Sequence, residues 1–378
     1  MFDETRLDDE GTLASLDRSD TLRALASAGA QVRRSLAAAS DAGLARLRDV
    51  DPRAVVVAAA GGSAGVADLF EALARTGASL PVQSCSAGPL PGWVGSLDLV
   101  IAVSQSGRAA GTLALAAEAQ RRGASLLTIG APDSPLAEVS ARARGVHVPI
   151  PVSGSSSRTS MWAQATPALL AADALGIASV GGDTLEALAD VLDRCATEAR
   201  PASESFVNPA KVLATEVAES APIVLGEGPF GAVAARRAAS MFGRTGRVPV
   251  AHGALPDAAS QIVACFDGPL AGGEAEGGTD DIFADPFLDG PTRPPLRLIM
   301  LRDTSDGPEA HLTSTIVSVA EDAGVRISLV DAPADDPLLR FAHHVALTDF
   351  AATYLALGLG FDPATSPHVE LLRGARVR

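Results

Sequence analysis

Apolar residues in this chain fall into two arrangements that alternate along its length. Short unbroken runs, such as Val55-Val56-Val57 and Leu99-Val100-Ile101-Ala102-Val103, leave no polar residue to face water. Such runs read as parallel strands buried on both faces. Between them, apolar positions recur every three or four residues, the spacing of a helix that turns one stripe inward. Residues 1–50 carry the helical spacing, at Thr21-Leu22-Arg23-Ala24-Leu25 and Leu44-Ala45-Arg46-Leu47. Strands are then expected near 54–58, 81–82, 97–103, 125–129 and 146–148. A polar hinge, Val152-Ser153-Gly154-Ser155-Ser156-Ser157, precedes an alanine-rich helical region whose Met161 and Trp162 read as core. The grammar then repeats, with strands expected at 222–226, 248–250, 262–266, 296–301 and 325–330 and helices at 232–241 and 338–359.

The pattern predicts an α/β fold: two doubly wound, flavodoxin-like parallel-sheet units with helices on both faces. Its segments are N-terminal helices at 1–50, a first α/β domain at 51–152, a hinge with connecting helices at 153–220, a second α/β domain at 221–332 and a helical tail at 333–378. Within the second domain, 268–295 is rich in Gly, Pro, Asp and Glu and reads as an acidic loop.

Composition narrows the functional classes. Hydrophobic residues make up 47% of the 378 but aromatics only 4%, so Ala, Val and Leu must build the core. A net charge of -15 argues against nucleic acid and anionic membranes as partners. No apolar stretch is long enough to span a bilayer. Cys85, Cys195 and Cys265 lie far apart and form no C-x-x-C pair, which suggests reduced thiols. The N-terminus lacks an apolar signal core, and a cytoplasmic protein is expected.

The candidate chemistry sits where strands give way to helices. The run at 99–103 ends in Ser104-Gln105-Ser106-Gly107-Arg108, and helical pattern follows at once. A helix N-terminus offers unpaired N–H groups and the positive end of a dipole, and small hydroxyls add donors without bulk. Phosphate is the natural guest, with Ser104, Ser106, Gly107, Arg108 and Thr112 as candidate contacts. Gly62 and Ser63, in the Gly61-Gly62-Ser63-Ala64-Gly65 turn after the first strand, are candidates of the same kind. Glu227 follows the strand at 222–226 and reads either as a ligand contact or as a solvated turn residue. The adjacent His343 and His344 would point about 100° apart on a helix. No metal site and no cofactor are expected.

Three stretches resemble the bacterial and archaeal phosphoglucose/phosphomannose isomerase family, whose members carry two sugar isomerase (SIS) domains. Gly61-Gly62-Ser63-Ala64-Gly65 looks like its G-G-S-A-I-G turn, and Ser104-Gln105-Ser106-Gly107 like its S-Y-S-G-N-T turn. Asp349-Phe350-Ala351-Ala352-Thr353-Tyr354-Leu355-Ala356-Leu357, followed by Gly360-Phe361-Asp362-Pro363, resembles its C-terminal signature. The resemblance implies aldose–ketose isomerisation of hexose 6-phosphates through an enediol, without a cofactor. It implies phosphate contacts from the Ser104 turn and Thr112, an active-site cation at Arg158 and another at Arg373.

The chain departs from the family where the acid/base residues belong. Along Arg244-Thr245-Gly246-Arg247-Val248-Pro249, the family's glutamate position holds Arg244. The family's histidine position holds Ala259 or, with a one-residue slip, Ser260. His252 is the candidate replacement, because an ordinary histidine titrates near neutral pH. The alternative is a phosphosugar-binding protein without turnover, acting as a sensor or partner subunit. A homodimer is the expected assembly.

Overall fold

The computed structural model describes residues 1–75, 77–151, 156–271, 294–303 and 308–376, with helix backbone alone at 308–309 and 373–376. The chain divides into two units, one of residues Asp17–Arg200 and one of Met1–Leu16 with Pro201–Arg378. After α1 (Glu10–Leu16), the first unit runs α2 (Thr21–Ala26), α3 (Ala28–Asp41), β1 (Val55–Ala59), α4 (Ala64–Arg75), β2 (Val82–Cys85), β3 (Leu99–Ser104), α5 (Ala110–Arg122), β4 (Ser125–Gly130), α6 (Pro135–Arg142), β5 (Val146–Pro149), α7 (Met161–Ala174) and α8 (Gly182–Glu198). The second runs α9 (Pro209–Ala218), β6 (Ala221–Gly226), α10 (Gly228–Met241), β7 (Ala251–Ala254), α11 (Ala259–Val263), β8 (Leu296–Leu301), α12 (Pro308–Asp322), β9 (Arg326–Val330), α13 (Pro337–Gly358) and α14 (Pro367–Arg376).

Both sheets are parallel throughout. The first has the order β2-β1-β3-β4-β5, and the second, β7-β6-β8-β9, repeats it with one strand fewer. The α/β architecture expected from the apolar runs is therefore present twice. Every residue of β1 and β3 is buried, as strands covered on both faces by helices must be. Edge strands β2 and β9 carry more exposed positions. Leu115, Ala116 and Ala119 of α5 pack on Val56, Ala58, Val100 and Ala102, so small aliphatic side chains do the filling. Met161 and Trp162 are buried, as expected.

Two expected strands are corrected. Residues 262–266 are helical: α11 ends at Val263 and a 3-10 turn spans Ala264–Asp267. Ile262 and Phe266 are buried while Gln261 and Cys265 are exposed, an i, i+4 spacing that suits one helix face and not an alternating strand. The strand expected at 248–250 lies instead at Ala251–Ala254, beyond the π-helical turn Phe242–Gly246. Most of the hinge, 152–155, and most of the acidic loop, 272–293, lie outside the described residues.

Residues 1–16 pack with the second unit. Asp3 N–H donates to the Gly358 carbonyl at 3.0 Å and the Arg6 guanidinium to the same carbonyl at 3.0 Å. The fully buried Lys211 donates its ammonium to Asp8 Oδ1 (3.3 Å) and to the carbonyls of Pro201 (2.9 Å) and Ser203 (2.7 Å). It also lies 5.6 Å from the Tyr354 ring centre. Four partners offset the cost of burying that charge.

Candidate anion-binding site

In a doubly wound sheet, ligands bind beyond the carboxyl ends of the strands where the winding reverses. In the first unit that point lies between β1 and β3. Two of the turns singled out in the sequence emerge there, Gly61–Ser63 after β1 and 105–109 after β3.

The turn after β3 is shaped by its own backbone. Gly107 has φ +61°, and its N–H donates to the Ser104 carbonyl at 2.8 Å. Any Cβ there would collide with the Ser134 side chain, so glycine alone fits. Ser104, buried at the strand end, accepts from Ala109 N–H through Oγ at 3.4 Å. Ser106 is exposed, and its Oγ accepts from Arg108 N–H at 3.2 Å. Arg108 is exposed beside it.

The first turn of α5 starts here without a side-chain cap, its N-cap being Ala109. Other helices, α7, α8 and α10 among them, also start without one, whereas Ser134, Asn208 and Asp336 cap α6, α9 and α13 with their own oxygens. Thr112, in that first turn, is 1% exposed, and its Oγ1 has no hydrogen-bond partner. The turn therefore brings helix-end N–H groups, serine hydroxyls and an arginine together within a few residues, a composition that suits an anion.

A third segment closes on these two turns. Gly62 lies so close to Ser157 that a Cβ would overlap its side chain. Ser63 Oγ donates to Gln164 Oε1 at 2.6 Å, and Gln164 Nε2 donates to the Ser160 carbonyl at 3.1 Å. Gln105 Nε2 donates to Ser160 Oγ at 2.9 Å. Gly62, Ser63, Ser104, Ser106, Gly107, Arg108, Thr112 and the half-buried Arg158 thus belong to one unit and to three joined segments. Sequence reading missed Gln31, Gln105, Ser160 and Gln164, whose spacing carries no local signal.

The other two named residues lie in the second unit. His252 is exposed on edge strand β7, paired in register with Val224, and Arg373 falls in α14. Arg244 sits half-buried in the π-helical turn, and Ala259 and Ser260 open α11. At this unit's own point of reversal, between β6 and β8, Glu227 is buried and accepts from Asp303 N–H. Burial pushes its carboxyl above the ordinary range. Arg340 donates to Asp303 Oδ1 at 2.6 Å. Among the described residues no cluster of His, Cys, Asp and Glu could hold a metal ion. Nor is any described helix long and apolar enough to cross a membrane.

Residues 206–375 match the bacterial phospho-glucose isomerase C-terminal SIS domain. No curated protein matches the chain by sequence. Solved structures share the SIS fold at low identity. The C-terminal domain of glucosamine-fructose-6-phosphate aminotransferase from Francisella tularensis has a TM-score of 0.63 at 11% identity, over 92% of this chain and 98% of that one. A glucose-6-phosphate isomerase like protein from Thermus thermophilus gives 0.57 at 20%, over 99% of each chain. Glucosamine-6-phosphate deaminase from Thermotoga maritima gives 0.60 at 15%, over 88% of this chain and 97% of its own. Both units are SIS-type α/β units.

Proposed function

We propose that this protein binds a hexose 6-phosphate, with the phosphate on the turn after β3, and interconverts its aldose and ketose forms through an enediol. The observation that carries the binding half is the uncapped start of α5, with the buried and unpartnered Thr112 Oγ1 beside Ser104, Ser106, Gly107 and Arg108. The match of 206–375 and the names of the SIS-fold neighbours support the sugar-phosphate class. In this reading Gly62 and Ser63 complete the phosphate surroundings, Arg158 and Arg373 supply cations for a developing oxyanion, and His252 carries the proton. The protein is cytoplasmic and forms a homodimer, a state that light scattering on the purified chain would check.

A second reading, binding without turnover, is favoured by Arg244 and by Ala259 or Ser260 at the positions where the resembling family keeps its acid/base pair. One experiment separates the two. Purified protein is incubated with fructose 6-phosphate in heavy water, and NMR follows both ligand binding and deuterium uptake at C1. Deuterium uptake or aldose formation that vanishes in Ser106→Ala supports the isomerase. Binding without exchange supports a sensor. Unchanged affinity in Ser106→Ala removes the phosphate assignment.

A further inference from the structure

The segment 156–160, from the end of the hinge to the start of α7, is held by three buried amides. Gln31 of α3, 6% exposed, donates to the Thr159 carbonyl at 2.8 Å and accepts from Ala163 N–H at 3.3 Å. Gln164, fully buried in α7, donates to the Ser160 carbonyl and accepts from Ser63 Oγ. Gln105 comes from the phosphate turn itself, between Ser104 and Ser106. Its Nε2 donates to Ser160 Oγ, which itself donates to the Ser156 carbonyl at 2.8 Å. Ser156 N–H donates in turn to Thr159 Oγ1 at 3.0 Å. The glycine contact of Gly62 with Ser157 fixes the other side.

Arg158 is the one charged residue on this segment, next to Ser157, pressed on the turn after β1, and two residues before Ser160, bonded to the turn after β3. Satisfied buried networks of this kind give a loop one conformation where it would otherwise sample many.

We propose that Gln105 is a positioning residue for Arg158: it fixes 156–160 through Ser160, so that the turn that receives the anion also sets the place of the cation that meets it. This rests on the phosphate reading of the turn. It assigns Gln105 a role distinct from that of its serine neighbours: they face the ligand, and it faces the protein.

A double-mutant cycle tests it, read by calorimetric titration with fructose 6-phosphate and, in parallel, with inorganic phosphate. Gln105→Ala and Arg158→Ala should each weaken binding about tenfold, and the pair should weaken it hardly more than Arg158→Ala alone, because the two residues act as one unit. Ser160→Ala should copy Gln105→Ala, and Ser160→Thr, which keeps the hydroxyl, should restore affinity. That hydroxyl series carries the test if Gln105→Ala does not fold. Hydrogen exchange at 156–160 should rise in Gln105→Ala with the rest of the unit unchanged.

Unchanged affinity in Gln105→Ala overturns the proposal. So does multiplication of the two single effects to about a hundredfold, the signature of independent contacts. If the wild type binds inorganic phosphate but no sugar phosphate, the sugar reading fails and the phosphate cycle decides the role of Gln105. If it binds neither, both readings fall.

Discussion

The two units wind their strands in the same order and differ in what stands at the point of reversal. In the first, glycines and two serines meet there, with Arg108 and Arg158 on the adjoining segments, while α5 and α10 alike start without a side-chain cap. In the second, the buried carboxylate of Glu227 takes that place, and Asp303 and Arg340 pair beside it. The common topology places a reversal of winding in both, and the residues of the turns give each its own chemistry. On the proposed reading, local groups at the first point of reversal receive the anion, so a net charge of -15 does not oppose phosphate binding there.

The interiors differ in kind too. The first unit holds its segment 156–160 with neutral amides and hydroxyls, although its Arg53–Asp98 pair ties the loop before β3 with charge. The second joins α10 to α13 by a buried ion pair, Arg237 Nη2 to Asp349 Oδ2 at 2.6 Å and Nε to Oδ1 at 3.1 Å. Breaking that pair should give the largest effect. Arg237→Ala strips the buried Asp349, whose carboxyl burial already pushes upward, of this partner, so about 3–5 kcal/mol of unfolding free energy should be lost in urea titrations. Replacing both partners, as in Arg237→Met with Asp349→Leu, should recover most of it. A small loss in the single variant would mean that the pair is solvated.

Acid should strike the second unit next. Burial, aided by neighbouring His343, depresses the His344 pKa to about 4. The unfolded chain then takes up a proton near pH 6.5 that the folded protein refuses. Stability is therefore fully present above that pH and falls as the solution is acidified towards pH 4, by about 3 kcal/mol over the interval. Denaturation of wild type and His344→Leu across this range should show the first losing stability relative to the second as the pH falls. Glu227 works in the opposite sense. Its raised pKa means that stability is lost as pH climbs through it, so Glu227→Gln should gain on the wild type with rising pH. A flat difference would show that Glu227 titrates as in the unfolded chain.

These contrasts were unequally legible in the sequence. The Ser104 turn announced itself because strand, small polar residues and helix follow one another within a dozen positions. The sheets were legible because a strand buried on both faces must be apolar without interruption. Ile262 and Phe266 misled because a short apolar run fits either a strand or the buried side of one helical turn. The amide network left no trace, since Gln31, Gln105 and Gln164 meet only after folding and a glutamine has no spacing rule. Lys211 gave a faint sign, a single cation in the otherwise apolar start of α9, but its partner Asp8 lies 203 residues away.

The mildest test compares glycines that the units share with one that they do not. Gly61 after β1 and Gly228 after β6 both have positive φ, +61° and +63°, and neither has an atom within 4 Å of where a Cβ would stand. Each belongs to the common winding, so Gly61→Ala and Gly228→Ala should cost alike, about 1 kcal/mol of backbone strain. Gly107 has the same φ but also meets Ser134, so Gly107→Ala should cost about 2 kcal/mol, the excess coming from the collision. It should weaken phosphate binding as well, because the turn must shift to make room, whereas Gly228→Ala should leave that affinity untouched. Thermal unfolding and phosphate titration of the three variants would check both halves. Equal costs at all three positions would mean that the Ser104 turn yields easily, and its close fit would no longer explain why glycine stands there.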